Sequence, residues 1–219
     1  MGEKKRLSIL GDSISTYEGV SNDASVNAHL SKNRVHYCEP FPQEKTYWMR
    51  LIDSLGLDLC VNNSYSGGNL SGKDDETSGV CRASHLSRES GESPDFIIVF
   101  MGINDLGRGV DVDVFASDYA TVLSTIKEKY PAAWVCCVNI PDRDIFLRAR
   151  AEKFNEVIAS AVRAAGEHFF VADLFSSSLR GDAYYMNTVD GLHPDEDGMR
   201  IIAQIISDAI NSFANIDKA

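Results

Sequence analysis

The chain lacks two features on which whole classes of protein depend, a long hydrophobic stretch and a surplus of basic residues. None of the apolar runs in its 219 residues approaches the roughly 20 needed to cross a membrane. Its first residues carry charge with no apolar stretch behind them, so we expect no signal peptide and predict a cytoplasmic protein. The net charge of −11 argues against nucleic acid, membrane surfaces and polyanionic substrates, which are bound by basic patches.

Metal-binding patterns are missing from the cysteines as well. The five cysteines show no spacing typical of zinc ligands. Cys60, Cys136 and Cys137 lie in apolar runs, and the last two would face opposite sides of a strand, which makes them a poor metal clamp. We therefore predict buried free thiols and no bound metal.

Apolar runs alternate with amphipathic segments along the whole chain, and no repeat or linker divides it. The length suits a single domain over residues 1–219. The predicted strands are 6–10, 57–62, 95–101, 133–139 and 168–172. The predicted helices are 46–55, 112–129, 146–165 and 195–213. This alternation predicts an α/β fold with three α/β/α layers, built on a flavodoxin-like parallel sheet of five strands in the order 2-1-3-4-5.

Candidate chemistry lies in two short segments near the ends of the chain. Ser13 follows the first predicted strand directly, and Asp190 and His193 lie on one loop just before the last helix. A hydroxyl, an imidazole and a carboxylate are the parts of a nucleophilic acyl-transfer site. We predict Ser13 as nucleophile, His193 as general base and Asp190 as the carboxylate that orients it, provided the fold joins the two ends.

Two further segments offer donors for a developing oxyanion. Gly67 and Gly68 follow the second predicted strand, and Asn104 follows the third. A glycine N–H and an asparagine amide are suitable donors, because glycine permits close approach and the amide carries a fixed NH₂ group. In a parallel sheet the carboxyl ends of the strands share one edge, so these groups should meet Ser13 there.

These four segments, in this order, resemble the motifs of the SGNH hydrolases, also called the GDSL esterase/lipase family. The matching segments are Gly11-Asp12-Ser13, Asn63 to Gly67, Gly102 to Asp105, and Asp190 to Pro194. The resemblance implies the SGNH-hydrolase fold, an oxyanion hole formed by Ser13, Gly67 and Asn104, and no cofactor. Gly67 matches the family glycine better than Gly68, and Ile14 stands where the family often has leucine.

One long irregular stretch, Tyr17 to Lys45, leaves the nucleophile loop directly. Connections of this length are usually functional or disordered. It is either a surface loop or a wall over Ser13, in which case Tyr37 and Phe41 are the candidate substrate contacts. The histidines other than His193 have no partner at informative spacing, so we predict surface or structural roles for them, with His36 a candidate for lining a pocket.

We therefore predict a serine esterase that acts on a small-molecule acyl ester, with acetyl on a carbohydrate favoured. Thioesterase and lysophospholipase activities stay open, because the family includes both. A metal-dependent phosphoesterase using Asp12, Asp190, His193 and Asp195 is a further alternative, although it would leave the glycine and asparagine motifs unexplained. A non-catalytic binding module on the same fold is the last, and the intact set of reactive side chains argues against it.

Overall fold

The computed structural model describes residues 4–20 and 36–214. Its strands are β1 (Arg6–Gly11), β2 (Asp58–Ser64), β3 (Phe96–Phe100), β4 (Trp134–Val138) and β5 (Phe169–Ala172). Its α-helices are α1 (Tyr47–Leu55), α2 (Gly79–Arg82), α3 (Ile103–Arg108), α4 (Val112–Lys129), α5 (Arg148–Ala165), α6 (Asp182–Met186) and α7 (Glu196–Phe213). Short 3₁₀ turns span Ser13–Ser15 and Gln43–Lys45.

The five strands form one parallel sheet in the order β2-β1-β3-β4-β5. This confirms the predicted α/β fold and its strand order. Helices α4 and α5 pack together, as do α1 and α7, and α5 and α7 also contact β5. β3 is buried along its whole length, as expected for a parallel strand covered on both faces.

The register of the central strands brings three loops to one edge of the sheet. Gly11, the last residue of β1, pairs with Ser64 of β2 and with Phe100 of β3. Because all three strands run in the same direction, the segments after them emerge side by side. The nucleophile turn, the glycine segment and the asparagine segment are therefore neighbours.

Helix caps explain why two helices begin one residue later than the apolar periodicity predicts. The Thr46 hydroxyl accepts from the Met49 N–H at the start of α1, at 3.4 Å. The Asp195 carboxylate accepts from the Gly198 N–H at the start of α7, at 2.9 Å. Both side chains satisfy amides that have no partner within the helix, and this places Asp195 just before the helix instead of in its first turn.

No helix among the described residues has the length and apolarity needed to span a membrane. All five cysteines are free thiols, and Cys60, Cys136 and Cys137 are buried. Burial raises the pKa of Cys137 to about 12, so this thiol stays protonated.

Gly102 connects β3 to α3 in a conformation that only glycine adopts easily, with φ of 120°. A Cβ there would lie 3.1 Å from Ile140 Cδ1 and 3.2 Å from Phe115 Cζ. We predict that Gly102→Ala lowers the free energy of unfolding by about 1–3 kcal/mol, measured by urea denaturation.

Gly107, in the same helix α3, is the control for this substitution. A Cβ at Gly107 would meet no neighbouring segment within 4 Å. Gly107→Ala should leave the free energy of unfolding unchanged or raise it by about 1 kcal/mol, through the higher helix propensity of alanine. If the two variants were equally stable, backbone strain at Gly102 would be ruled out.

Candidate active site

Ser13 lies in a tight turn immediately after β1. The Asp12 carboxylate caps this turn by accepting from the Ile14 N–H at 3.0 Å. Gly11 lets the turn close, because a Cβ at that position would lie 2.5 Å from Ser15 Oγ. Ser13 is only 5% exposed, so its hydroxyl is held in a packed environment at the edge of the sheet.

Ser13, His193 and Asp190 form a hydrogen-bonded chain. His193 Nε2 lies 2.9 Å from Ser13 Oγ, and His193 Nδ1 lies 2.7 Å from Asp190 Oδ2. The second Asp190 oxygen accepts from the backbone N–H groups of Leu192 at 3.0 Å and His193 at 2.8 Å. Burial raises the pKa of Asp190, but these hydrogen bonds outweigh it and hold the pKa at about 2. Asp190 is therefore ionised at neutral pH and accepts from Nδ1–H, which leaves Nε2 to accept the serine proton.

Two buried tyrosines hold the loop that carries His193. The Tyr184 hydroxyl donates to the Leu192 carbonyl, and the Tyr37 hydroxyl donates to the Pro194 carbonyl, each at 2.8 Å. These bonds fix the backbone on both sides of His193. The His193 ring is thus positioned by a side chain distant in sequence, that of Tyr37, by the nearby Tyr184 of α6, and by its own loop.

The predicted oxyanion donors lie on the neighbouring loops. Gly67 has φ of 75°, while the Gly68 N–H donates to the Tyr65 carbonyl at 2.9 Å. Because that N–H is engaged, Gly67 is the better candidate donor. Asn104 lies in the first turn of α3, and its amide donates to the Gly68 carbonyl at 3.0 Å, with a longer 3.4 Å contact to Asp12 Oδ2. The 3.4 Å contact is the weaker of the two hydrogen bonds.

Arg82 is a buried cation behind the site that the sequence analysis did not identify. Its guanidinium donates to the carbonyls of Gly11 at 3.0 Å and Thr77 at 2.9 Å, and also to that of Asn63. It therefore ties the end of β1 to the segment after β2. Burial lowers the pKa of Arg82 to about 10, against the opposing effect of Asp12, so it remains charged at neutral pH.

Asp105 braces the segment that follows the two glycines. Its carboxylate accepts from the Leu70 N–H at 2.7 Å and from the Ser71 N–H at 2.9 Å. Burial raises the pKa of Asp105, and the two backbone hydrogen bonds oppose that rise. The residue next to Asn104 thus holds the glycine segment against α3.

The surroundings of Tyr37 speak against its predicted contact with the substrate. Tyr37 is 2% exposed, and its hydroxyl is already bonded to the base loop. Phe41 is partly buried against Tyr37, with ring centroids 5.0 Å apart, and its contact with substrate stays a prediction. The rest of the predicted wall, residues 21–35 including His29, lies outside the described residues.

The four residues of the metal-dependent alternative do not form one cluster. Asp12 caps the turn that holds Ser13, by accepting from the Ile14 N–H. Asp195 caps the start of α7. The single group of potential ligands among the described residues is His36, Asp190 and His193. The rings of His36 and His193 are stacked, with centroids 3.5 Å apart and planes at 15°. The lone pair of an imidazole nitrogen lies in the plane of its ring. The lone pairs of two stacked rings therefore lie in nearly parallel planes and do not converge on one ion.

The arrangement supplies what acyl transfer requires. A hydroxyl is bonded to an imidazole, a carboxylate holds the other ring nitrogen, and amide donors lie on adjacent loops of the same sheet edge. This geometry is the one expected of an acyl-transfer site that uses a serine nucleophile.

The chain belongs to the GDSL-like lipase/acylhydrolase family, whose family model matches residues 9–201. This confirms the resemblance seen in the four motifs. No curated protein matches the chain in sequence.

Solved structures share the fold over nearly the whole chain. A protein described as a GDSL-like lipase from Bacteroides ovatus is 23% identical with a TM-score of 0.69, covering 99% of this chain and 100% of its own. One from Bacteroides uniformis is 25% identical with a TM-score of 0.68, covering 97% of each chain. A carbohydrate esterase family 2 enzyme from Corynascus thermopiles, solved with its carbohydrate-binding domain, is 19% identical with a TM-score of 0.66, covering 98% of this chain and 68% of its own.

Tyr37→Phe tests the structural role of the buried hydroxyl. The substitution leaves the Pro194 carbonyl without its donor, so we expect the free energy of unfolding to fall by about 1–3 kcal/mol. Tyr185→Phe is the control, because Tyr185 is 64% exposed and its substitution should change stability by less than about 0.5 kcal/mol. A Tyr37→Phe variant with a raised KM and unchanged stability would restore the substrate-contact interpretation.

Proposed function

We propose that this protein hydrolyses esters of a small acyl group, with acetyl the first candidate, through an acyl-Ser13 intermediate. The observation that carries the proposal is the hydrogen-bonded chain from Ser13 Oγ through His193 to Asp190. A serine in an ordinary turn has no need of an oriented imidazole and a carboxylate in line with it. The chain belongs to a family of acyl hydrolases, and the proposal adds the substrate class and the roles of the individual residues.

The geometry supports a two-step reaction. His193 Nε2 takes the Ser13 proton as Oγ attacks the ester carbonyl, and the ionised Asp190 stabilises the imidazolium that forms. The Ser13 and Gly67 N–H groups and the Asn104 amide donate to the oxyanion of the tetrahedral intermediate. His193 then gives its proton to the leaving alkoxide. In the second step His193 takes a proton from the water that attacks the acyl-Ser13 carbonyl, and it returns this proton to Ser13 Oγ as the bond to Oγ breaks and the acid leaves.

A carbohydrate is the alcohol we favour. The support is the shared fold of a carbohydrate esterase family 2 enzyme, together with two exposed aromatic rings, one beside the loop that carries His193 and one on the loop after β4. Tyr185 is 64% exposed and lies close to Gly191, two positions before His193. Phe146 is 92% exposed and lies on the loop after β4. This loop is attached to the start of α6, because the Gly181 N–H donates to the Asp142 carbonyl. A flat exposed ring offers a surface on which the apolar face of a sugar can rest.

A longer acyl chain is the second candidate, and it covers the thioesterase and lysophospholipase alternatives. The observation in its favour is the group of exposed apolar side chains on the same two segments, Ile145, Phe146, Tyr185, Met186 and Val189. Exposed apolar patches on a protein surface mark binding sites. Such a surface would suit an alkyl chain as well as a sugar ring.

The nucleophile and base are tested by substitution. Because Ser13 and His193 act on one proton, Ser13→Ala and His193→Ala should each lower kcat for p-nitrophenyl acetate by at least about 10⁴-fold, and the double variant should lose little more. A fluorophosphonate probe should label Ser13, as shown by mass spectrometry of the labelled peptide. Ser15→Ala, in the same turn, is the control and should keep both activity and labelling. Turnover by Ser13→Ala close to the wild-type rate would refute the mechanism.

The substrate class is tested by a panel of esters. We expect kcat/KM to be highest for acetyl esters, higher for an acetylated sugar than for a simple alkyl acetate, and to fall as the acyl chain grows from acetyl to octanoyl. Phe146→Ala and Tyr185→Ala should lower kcat/KM for the acetylated sugar and spare p-nitrophenyl acetate. A rise in kcat/KM with chain length, lost in the same two variants, would select the second candidate.

A further inference from the structure

His36 makes the closest ring contact that His193 has among the described residues. The two imidazoles stack with centroids 3.5 Å apart and planes at 15°. Tyr37, the next residue, meets His193 only edge-on at 6.5 Å. One face of the base is therefore covered by a second imidazole that the reaction scheme does not use.

The backbone of His36 is attached to the nucleophile turn. The His36 N–H donates to Thr16 Oγ1 at 3.2 Å, and that hydroxyl donates to the Ser13 carbonyl at 2.9 Å. The next residue is attached to the base loop through the bond from Tyr37 to Pro194. His36 is thus fixed to both parts of the site whose relative position decides whether Ser13 and His193 can share a proton.

Stacking restricts the one motion that the in-plane hydrogen bonds of His193 resist poorly. Asp190 and Ser13 hold the two ring nitrogens within the ring plane. A tilt of the ring out of that plane lengthens the bond to Ser13 Oγ and lets water reach Nε2. A flat ring against the face of His193 opposes this tilt over its whole area.

The charge state of His36 fits this role. Burial lowers the pKa of His36, and the adjacent His193 lowers it further, while Asp190 opposes both effects. His36 is therefore neutral at neutral pH. A neutral ring tolerates the positive charge that His193 acquires when it takes the serine proton, whereas a cationic neighbour would oppose it.

We propose that His36 is a positioning residue, an imidazole wall that keeps the His193 ring in the plane shared by Ser13 Oγ and Asp190 Oδ2. The proposal rests on the proposed function, in which His193 is the general base. It assigns His36 no contact with the substrate and no proton transfer. What matters is a flat ring at this position, so another aromatic side chain should serve.

The test compares His36→Ala, which removes the wall, with His36→Phe, which keeps a flat ring without ionisable nitrogens. With p-nitrophenyl acetate we expect His36→Ala to lower kcat by about 10–100-fold, the scale of a small misplacement of a reacting group. KM should change by less than about twofold. His36→Phe should recover kcat to within about threefold of wild type. His36→Asn, polar and without a ring, replaces the alanine variant if that one does not fold, and should match its loss.

His168→Ala is the matched control. His168 also stacks on an aromatic ring, that of Trp134, with centroids 4.6 Å apart and planes at 30°. It precedes β5, at the opposite edge of the sheet from Ser13. His168→Ala should leave kcat unchanged. This comparison distinguishes the general effect of losing a stacked histidine from the specific effect of losing His36.

Three results would overturn the proposal. They are wild-type kcat in His36→Ala, equal losses in the alanine and phenylalanine variants, or a change confined to KM, which would make His36 a substrate contact. The proton NMR signal of His193 Nδ1–H supplies a readout that needs no turnover. It should broaden and exchange faster with solvent in His36→Ala and stay sharp in His36→Phe. If wild type gave this signal but neither labelling nor turnover, the proposed function would fail, and the NMR comparison would still decide the role of His36.

Discussion

The hydrogen bond between Ser13 Oγ and His193 Nε2 joins residues 180 positions apart, so it can form only if both ends of the chain reach the same edge of the sheet. Parallel pairing of β1 with β2 and β3 meets half of this requirement, since it fixes the nucleophile turn beside the two donor loops. The other half comes from α7, which packs with α1 and against β4 and β5. The loop that carries His193 directly precedes α7 and lies at the edge of the sheet where β1 ends. The topology brings Ser13 and His193 together, and the remaining hydrogen bonds of the site set their exact geometry.

Behind Ser13 lies a layer of buried ionisable groups. Burial raises the pKa of Asp12 to about 7, against the opposing effects of the Ile14 N–H and of Arg82. The Arg82 guanidinium donates hydrogen bonds to backbone carbonyls of three different segments. Removing one member of such a set leaves buried polar groups without partners, which is costly. These hydrogen bonds tie the segments around Ser13 together, and donors fixed in place are what oxyanion stabilisation requires.

The sheet, its strand order and the segments that meet at its edge could be predicted because each follows from a local rule. Ser13, Gly67 and Asn104 come directly after apolar strands, and parallel strands end at one edge. The contacts of Arg82 and His36 could not be predicted, because they depend on where long irregular connections run and no periodicity records that path. The burial of Tyr37 could not be predicted for the same reason. An aromatic residue in such a connection is as compatible with a wall of the pocket as with a buried support, and only its 2% exposure decides.

The burial of Tyr37 also bears on which side chains remain free to contact a substrate. The segment before α1 is fastened to the base loop by the Tyr37 hydroxyl and to the start of α7 by the ion pair of Lys45 with Glu196, at 2.6 Å. The ion pair is partly exposed and worth less than about 1 kcal/mol, whereas a buried carbonyl without its donor costs about 1–3 kcal/mol. The tyrosine is therefore the attachment that matters, and it is committed to aligning the base. Ile145, Phe146, Tyr185, Met186 and Val189 still face solvent, and under the proposed function they are the candidates for choosing among substrates.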